Sequence, residues 1–273
     1  MPYQPQTEYD FSDEYERQDD RSIAGYRTMK IYSGDYMEYI AYPFRRASKV
    51  AMRAAKRRET REAQKQLNKR NSERNLIRLL NANFKNGDLW VTPTYDEEHL
   101  PQDMESARKD VKNYLRRLDY WMKKHGLAPF KYIYVTECHD NGESVRIHHH
   151  IVMNFPNRDI AERMWKLGKR TQTRRLQADQ FGYAGLGKYI SKAKKGKYKK
   201  TWTASRNLVK PKLTVSDSAM TKRKMRRLCA SYHDGEEVLE RINPRYKVAD
   251  IQVTNSSVVP GMYLYARLYR RRE

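Results

Sequence analysis

The stretch Arg146-Ile147-His148-His149-His150-Ile151-Val152-Met153 constrains this chain more than any other. Apolar and β-branched residues on both sides of the histidines read as a strand. Side chains alternate across a strand, so His148 and His150 share one face and His149 takes the other. Two imidazoles a few ångströms apart on one rigid face suit a divalent metal ion. The plainer reading is a half-exposed strand carrying three polar residues, and the stretch alone leaves both open.

A second strand from Lys131 to Cys138 precedes it, and His139-Asp140-Asn141-Gly142-Glu143-Ser144 supplies turn chemistry between the two. A loop of Asn141-Gly142, or of the four residues from Asn141 to Ser144, puts Glu137 on the face of His148 and His150. In the four-residue case Glu137 lies directly opposite His148. A loop of three or five residues turns it away, because a one-residue slip reverses every side chain. Cys138 and His139 follow Glu137, but Cys229 is the only other cysteine. That excludes a four-cysteine zinc site and a disulfide framework, and a reducing compartment is the default.

The 273 residues carry a formal net charge of +23, which points to a polyanionic partner and above all to nucleic acid. The charge is uneven. Glu8, Asp10, Asp13, Glu14, Glu16, Asp19 and Asp20 make the first residues acidic, whereas from Arg163 to Ser216 the only acid is Asp179. In that stretch Lys188, Lys194, Lys195, Lys197, Lys199, Lys200 and Arg206 are candidate phosphate contacts. Trp202 is a candidate stacking surface among them. No apolar run approaches the length of a membrane span and no basic-then-apolar signal opens the chain, so a cytoplasmic protein without a membrane partner is expected.

Along the chain, residues 1–25 form an acidic tail without sustained periodicity, expected to be mobile. Residues 26–80 hold a hairpin turning at Ser33-Gly34-Asp35 and a highly charged helix from Arg45 to about Leu80. Residues 81–210 read as the core. Its strand Leu89–Tyr95 contains Pro93, which implies an edge, a bulge or the strand's end. A helix over 105–124 has its stripe at Val111, Tyr114, Leu115, Leu118, Trp121 and Met122, with Gly126 placed to end it. A short helix at Asn157, a strand over 171–176 and a helix over 183–193 follow, the last in spite of Gly185 and Gly187. Residues 211–273 read as an extension, with a helix from about Ser218 to Ala230 and a hairpin of 246–253 with 262–268. The class is α+β, a central antiparallel sheet with packed helices.

Three motifs occur in order: Thr92-Pro93-Thr94-Tyr95, then Glu137 ahead of His148-His149-His150, then Tyr189-Ile190-Ser191-Lys192. Together they resemble the motifs of HUH endonucleases, the rolling-circle replication initiators of bacterial plasmids, integrative elements and single-stranded DNA phages. The resemblance runs from about Asn81 to Asn207 and includes Ser205-Arg206-Asn207. It departs from the family in having His149 where a hydrophobic residue is usual and Pro93 where a bulky apolar one is. Some relatives carry a second tyrosine four residues before the nucleophile; Gly185 stands there, so the chain looks like a single-tyrosine enzyme.

The resemblance implies an RRM-like nuclease palm with Tyr189 as nucleophile, assisted by Lys192, and a metal ion held by His148, His150 and Glu137. Two imidazoles and a carboxylate suit Mn²⁺ better than Mg²⁺, though either could serve. The implied activity is site-specific nicking and rejoining of single-stranded or hairpin origin DNA through a 5′-phosphotyrosine, initiating rolling-circle replication in a bacterial cytoplasm. No ATPase motif is present, since Gly185-Leu186-Gly187-Lys188 lacks phosphate-loop spacing, so a separate helicase and a polymerase would come from the host. Tyr120-Trp121-Met122-Lys123 repeats the Tyr-x-x-Lys pattern, and Tyr183 is the nearest rival nucleophile. Two other functions remain. A relaxase or transposase would use the same chemistry on other DNA, and a non-enzymatic DNA- or RNA-binding regulator would need the basic segment alone.

Overall fold

Alternating strands and amphipathic helices become an α+β fold with two five-stranded antiparallel sheets, each with helices packed on it. The computed structural model describes residues 23–44, 61–137, 147–192, 202–255 and 261–271. The acidic tail, the start of the charged helix, the turn between the Glu137 and histidine strands, and the basic loop 193–201 lie outside them. Two compact units are distinguished: 72–178 with 183–209, and the rest of the chain.

The unit of 72–178 and 183–209 has the sheet order β6-β3-β5-β4-β7. Its strands are β3 (Leu89–Pro93), β4 (Tyr132–Glu137), β5 (His148–Met153), β6 (Thr171–Arg175) and the two-residue β7 (Thr203–Ala204), which was not foreseen. Pro93 has no N–H to donate and is the last residue of β3, so it marks the strand's end. The sheet is covered on both faces. On one, Leu89, Val91, Ile151 and Met153 pack against α2 (Met104–Lys124) and α3 (Arg158–Arg163). On the other, Ile133, Val135 and Val152 meet Leu76, Leu80 and Phe84, at the end of α1 (Arg61–Asn83), and Ile190 of α4 (Ala184–Ser191). Each such fully buried aliphatic side chain contributes about 1.5–3 kcal/mol relative to exposure.

Helix α2 shows why the local reading held. Asp103 caps its first turn by accepting from Ser106 N at 2.7 Å, and Val111, Tyr114, Leu115, Leu118 and Met122 are buried along one stripe. Gly126, with φ of 67°, ends it in the left-handed region that favours glycine.

The second unit has the order β8-β1-β2-β10-β9. The hairpin of β1 (Gly25–Ser33) and β2 (Tyr36–Phe44) pairs with C-terminal strands: β1 with β8 (Lys212–Met220), and β2 with β10 (Met262–Arg270). β10 pairs in turn with β9 (Tyr246–Asn255), as the terminal hairpin predicted. Met37, Tyr39, Ala41, Ile251, Leu264 and Leu268 pack beneath α5 (Lys222–Ala230) and α6 (Tyr232–Ile242). One expectation is corrected here and one element is added. The helix expected from Ser218 starts only at Lys222, capped by Thr221, because residues 212–220 are a strand on the edge of β1. Helix α6 was not foreseen, although Ser231 and Asp234 have the spacing of a capping pair and Ser231 does accept from Asp234 N at 3.1 Å.

Candidate active site

The register of β4 on β5 sets the site. Glu137 lies opposite His148 and Val135 opposite His150, the register of a four-residue loop. Side-chain alternation then sends Glu137, His148 and His150 to the face that α1 and α4 cover. The Nε2 atoms of His148 and His150 each stand 3.3 Å from the same oxygen, Glu137 Oε2. The imidazole rings meet edge to face with centroids 4.9 Å apart. His150 is 4% exposed, while His148 at 20% and Glu137 at 19% stay open to solvent on one side. Hydrogen bonds from the two imidazoles hold the Glu137 carboxyl well below the usual carboxylate range.

These residues fit a divalent ion. One donor atom from each of the three lies within 4.8 Å of the others, giving two imidazole nitrogens and a carboxylate oxygen. His150 has its other nitrogen, Nδ1, 3.4 Å from Thr92 Oγ1 on β3, an outer contact that turns Nε2 toward Glu137.

His149 points through the sheet to the opposite core and is fully buried. Tyr95 Oη and Thr136 Oγ1 lie 2.8 and 3.0 Å from its two nitrogens, so both are satisfied. Burial pushes its pKa down to about 3 and keeps the ring neutral. Its place in a histidine triplet thus reflects packing against Tyr95 and Trp165.

Tyr189 stands beside His150 of the cluster. Helix α4 is short, has no side-chain cap at Tyr183 and contains two glycines, so intrinsic propensity does not account for it. Packing of Ala184, Gly187 and Ile190 holds it, with Tyr183 N donating to Asn81 Oδ1 and Ser191 Oγ to Glu73 Oε2. Gly187 is required for the approach to α1, since a Cβ there would stand 2.5 Å from Ile77 Cγ1. Tyr189 is left 55% exposed, its ring centroid 5.4 Å from His150 and 5.6 Å from Trp90. Tyr183 differs sharply: it is buried, and its hydroxyl donates to Asn86 Oδ1 at 3.0 Å. Tyr120 is exposed on α2, the helix packed against the other face of the sheet.

The remaining candidates are spread more widely. Lys192 is the exposed C-cap of α4, one turn beyond Tyr189, and Lys188 is half-buried in its last turn. Trp202 is partly buried against the core beneath α4, with its indole N–H donated to Ser72 Oγ. Arg206 is exposed between two anchors: Ser205 Oγ accepts from Tyr132 N, and Asn207 Nδ2 donates to the carbonyls of Pro129 and Phe130. Lys194, Lys195, Lys197, Lys199 and Lys200 lie outside the described residues. Trp90 was missed: it touches both Tyr189 and His150, and strand alternation already placed it on the face of Thr92.

No helix among the described residues is long and apolar enough to cross a membrane. No curated protein and no solved structure gives a significant match to this chain. Residues 88–194, the stretch that holds Thr92, Glu137, His148, His150, Tyr189 and Lys192, match the family model of the replication-associated protein ORF2/G2P, a likeness that points to replication initiation.

Proposed function

We propose that the chain is a metal-dependent, single-tyrosine DNA nickase that initiates rolling-circle replication. The observation that carries this reading is one juxtaposition: the exposed Tyr189 lies against His150, which shares a carboxylate with His148. A tyrosine with a neutral phenol is a weak nucleophile, and a phosphodiester is an anionic and unreactive electrophile. A site for their reaction has to bring a nucleophile, positive charge and a fixed phosphate together.

Glu137, His148 and His150 would hold the ion, Mn²⁺ in preference to Mg²⁺, which when bound polarises the scissile phosphate and neutralises developing charge. Tyr189 Oη attacks phosphorus in line as its proton is lost to solvent, and the bond from phosphorus to the 3′ oxygen breaks. The 3′ oxygen takes up a proton and becomes a primer end, and the 5′ phosphate stays on Tyr189 as a phosphodiester. The bond energy is conserved in that link, so a later 3′-hydroxyl can displace Tyr189 and rejoin the strand without ATP. Lys192, one turn along α4, supplies positive charge that steadies the phosphate. Arg206, Lys188 and the lysines of 194–200 add attraction for the DNA backbone.

The test is to incubate the protein and Mn²⁺ with single-stranded oligonucleotides tiling the DNA that encodes it and its flanks, then to seek an adduct that survives denaturant. The adduct is expected with the unsubstituted protein, absent with chelator, and absent in Tyr189→Phe. His148→Ala is expected to keep binding and lose cleavage. An adduct in Tyr189→Phe would remove the nucleophile assigned here, and binding without any adduct would favour a regulator that binds nucleic acid without cutting it.

A further inference from the structure

The face of the sheet that carries the cluster continues past β3 to the edge strand β6. There Arg174 lies opposite Trp90 and Gln172 opposite Thr92, so both point to the side of His148 and His150. The guanidinium carbon of Arg174 is 5.8 Å from the centroid of the Trp90 ring. That ring in turn is 5.6 Å from Tyr189 and 6.2 Å from His150. Arg174, Trp90 and the nucleophile therefore form one continuous line of contacts. Arg174 is exposed and meets no carboxylate among the described residues. The next residue, Arg175, takes the opposite face and spends its guanidinium on the carbonyl of Gly87 at 2.9 Å.

A guanidinium held near an indole face by cation–π attraction keeps N–H donors available for a phosphate, which it can bind through two hydrogen bonds. That contact also lowers the side-chain entropy to be lost when a phosphate docks. β6 is two strand spacings, roughly 10 Å, from the strand of His150, so Arg174 is set to one side of the metal ligands, toward the next phosphate in line. We propose that Arg174, supported by Trp90, forms a subsite for a neighbouring phosphate of the DNA strand, on the β6 side of the nucleophile. The inference rests on the nicking reading above and extends it by assigning the side on which the bound strand leaves the reacting centre.

The experiment measures binding of a fluorescent single-stranded oligonucleotide across a salt series, alongside the adduct assay. Each phosphate neutralised on a single strand contributes about 0.7 to the slope of log K against log salt. Arg174→Gln is expected to lower that slope by about 0.7 and to weaken binding most at low salt. Arg174→Lys keeps the charge and is expected to keep most of the slope. Arg175→Gln, its neighbour on the other face, is expected to leave the slope at its original value. An unchanged slope in Arg174→Gln, or an equal fall in Arg175→Gln, overturns the subsite. If the adduct still forms while the slope is unchanged, the subsite falls alone. If the unsubstituted protein forms no adduct on any strand, the nicking reading falls and the subsite with it.

Discussion

In the unit built on β8-β1-β2-β10-β9, Arg267 of β10 lies between Asp250 of β9 and Glu38 of β2, all three buried in the sheet. Arg267 Nε donates to Asp250 Oδ2 at 3.1 Å and Nη2 bonds the same oxygen, while Tyr36 donates to Glu38. In the other unit, Glu137 occupies a comparable strand-pair position, but its partners among the described residues are two imidazoles. One sheet carries its own cation. The other assembles a carboxylate and two nitrogens that an external cation can join. Buried charge alone therefore does not mark a candidate site; what marks it is charge that the chain leaves for something else to complete, beside an exposed tyrosine.

The largest expected break in that contrast is Asp250→Ala. Removing the carboxylate leaves Arg267 buried without its main partner, which costs about 3–5 kcal/mol. Hydrogen exchange should show β9 and β10 losing protection while β4 and β5 keep theirs. An equal loss of protection in β4 and β5 would mean that the two sheets do not respond separately. Gly187→Ala comes next, because its Cβ would drive α4 away from Ile77. A cost of about 1–3 kcal/mol is expected from overpacking, with a fall in adduct rate as Tyr189 shifts. Thermal melts and single-turnover assays check both parts.

His149 supplies a pH test within the unit that carries the candidate site. Its pKa is pushed down to about 3 in the fold, against about 6.5 unfolded, so the unfolded chain takes the proton first as pH falls. Its stabilising contribution is therefore complete above the unfolded value and is lost as pH drops from there toward 3. Between pH 7 and pH 5 that amounts to about 2 kcal/mol, and His149→Leu should show a stability loss smaller by that amount over the same interval. Denaturant titrations at the two pH values decide it. The smallest effect is expected from Trp90→Phe. The indole N–H of Trp90 is buried with no acceptor among the described residues, so Phe keeps an aromatic wall for Tyr189 and removes an unsatisfied donor. A stability change within about 1 kcal/mol and a retained adduct are expected, whereas Trp90→Ala should slow the adduct markedly.

How legible the molecule was from its residues varied with the range of the forces involved. Helix α2 was legible because its stripe and its stop at Gly126 are local. The hairpins β1–β2 and β9–β10 were legible for the same reason. β8 was not, since an edge strand with exposed Leu213 and Val215 owes its existence to pairing with β1, far away in sequence. Helix α4 was foreseen against its glycines, but only packing explains why Gly187 is there. Trp90 and Arg174 were overlooked because no local pattern says which tyrosine a strand face will meet.

Alternation in the histidine strand, by itself, determined that His148 and His150 share a face and that His149 does not. That follows from strand geometry and needs no partner. Composition determined a strongly basic chain, and the order of the motifs singled out Tyr189 among the tyrosines. Tertiary structure alone decided the rest. The β4–β5 register brought Glu137 over both imidazoles, the core opposite gave His149 its two hydrogen bonds, and α1 seated α4 so that Tyr189 rests on His150 and Trp90. Register, burial and helix docking depend on contacts between residues far apart in the chain, and a local pattern cannot encode which of them will meet.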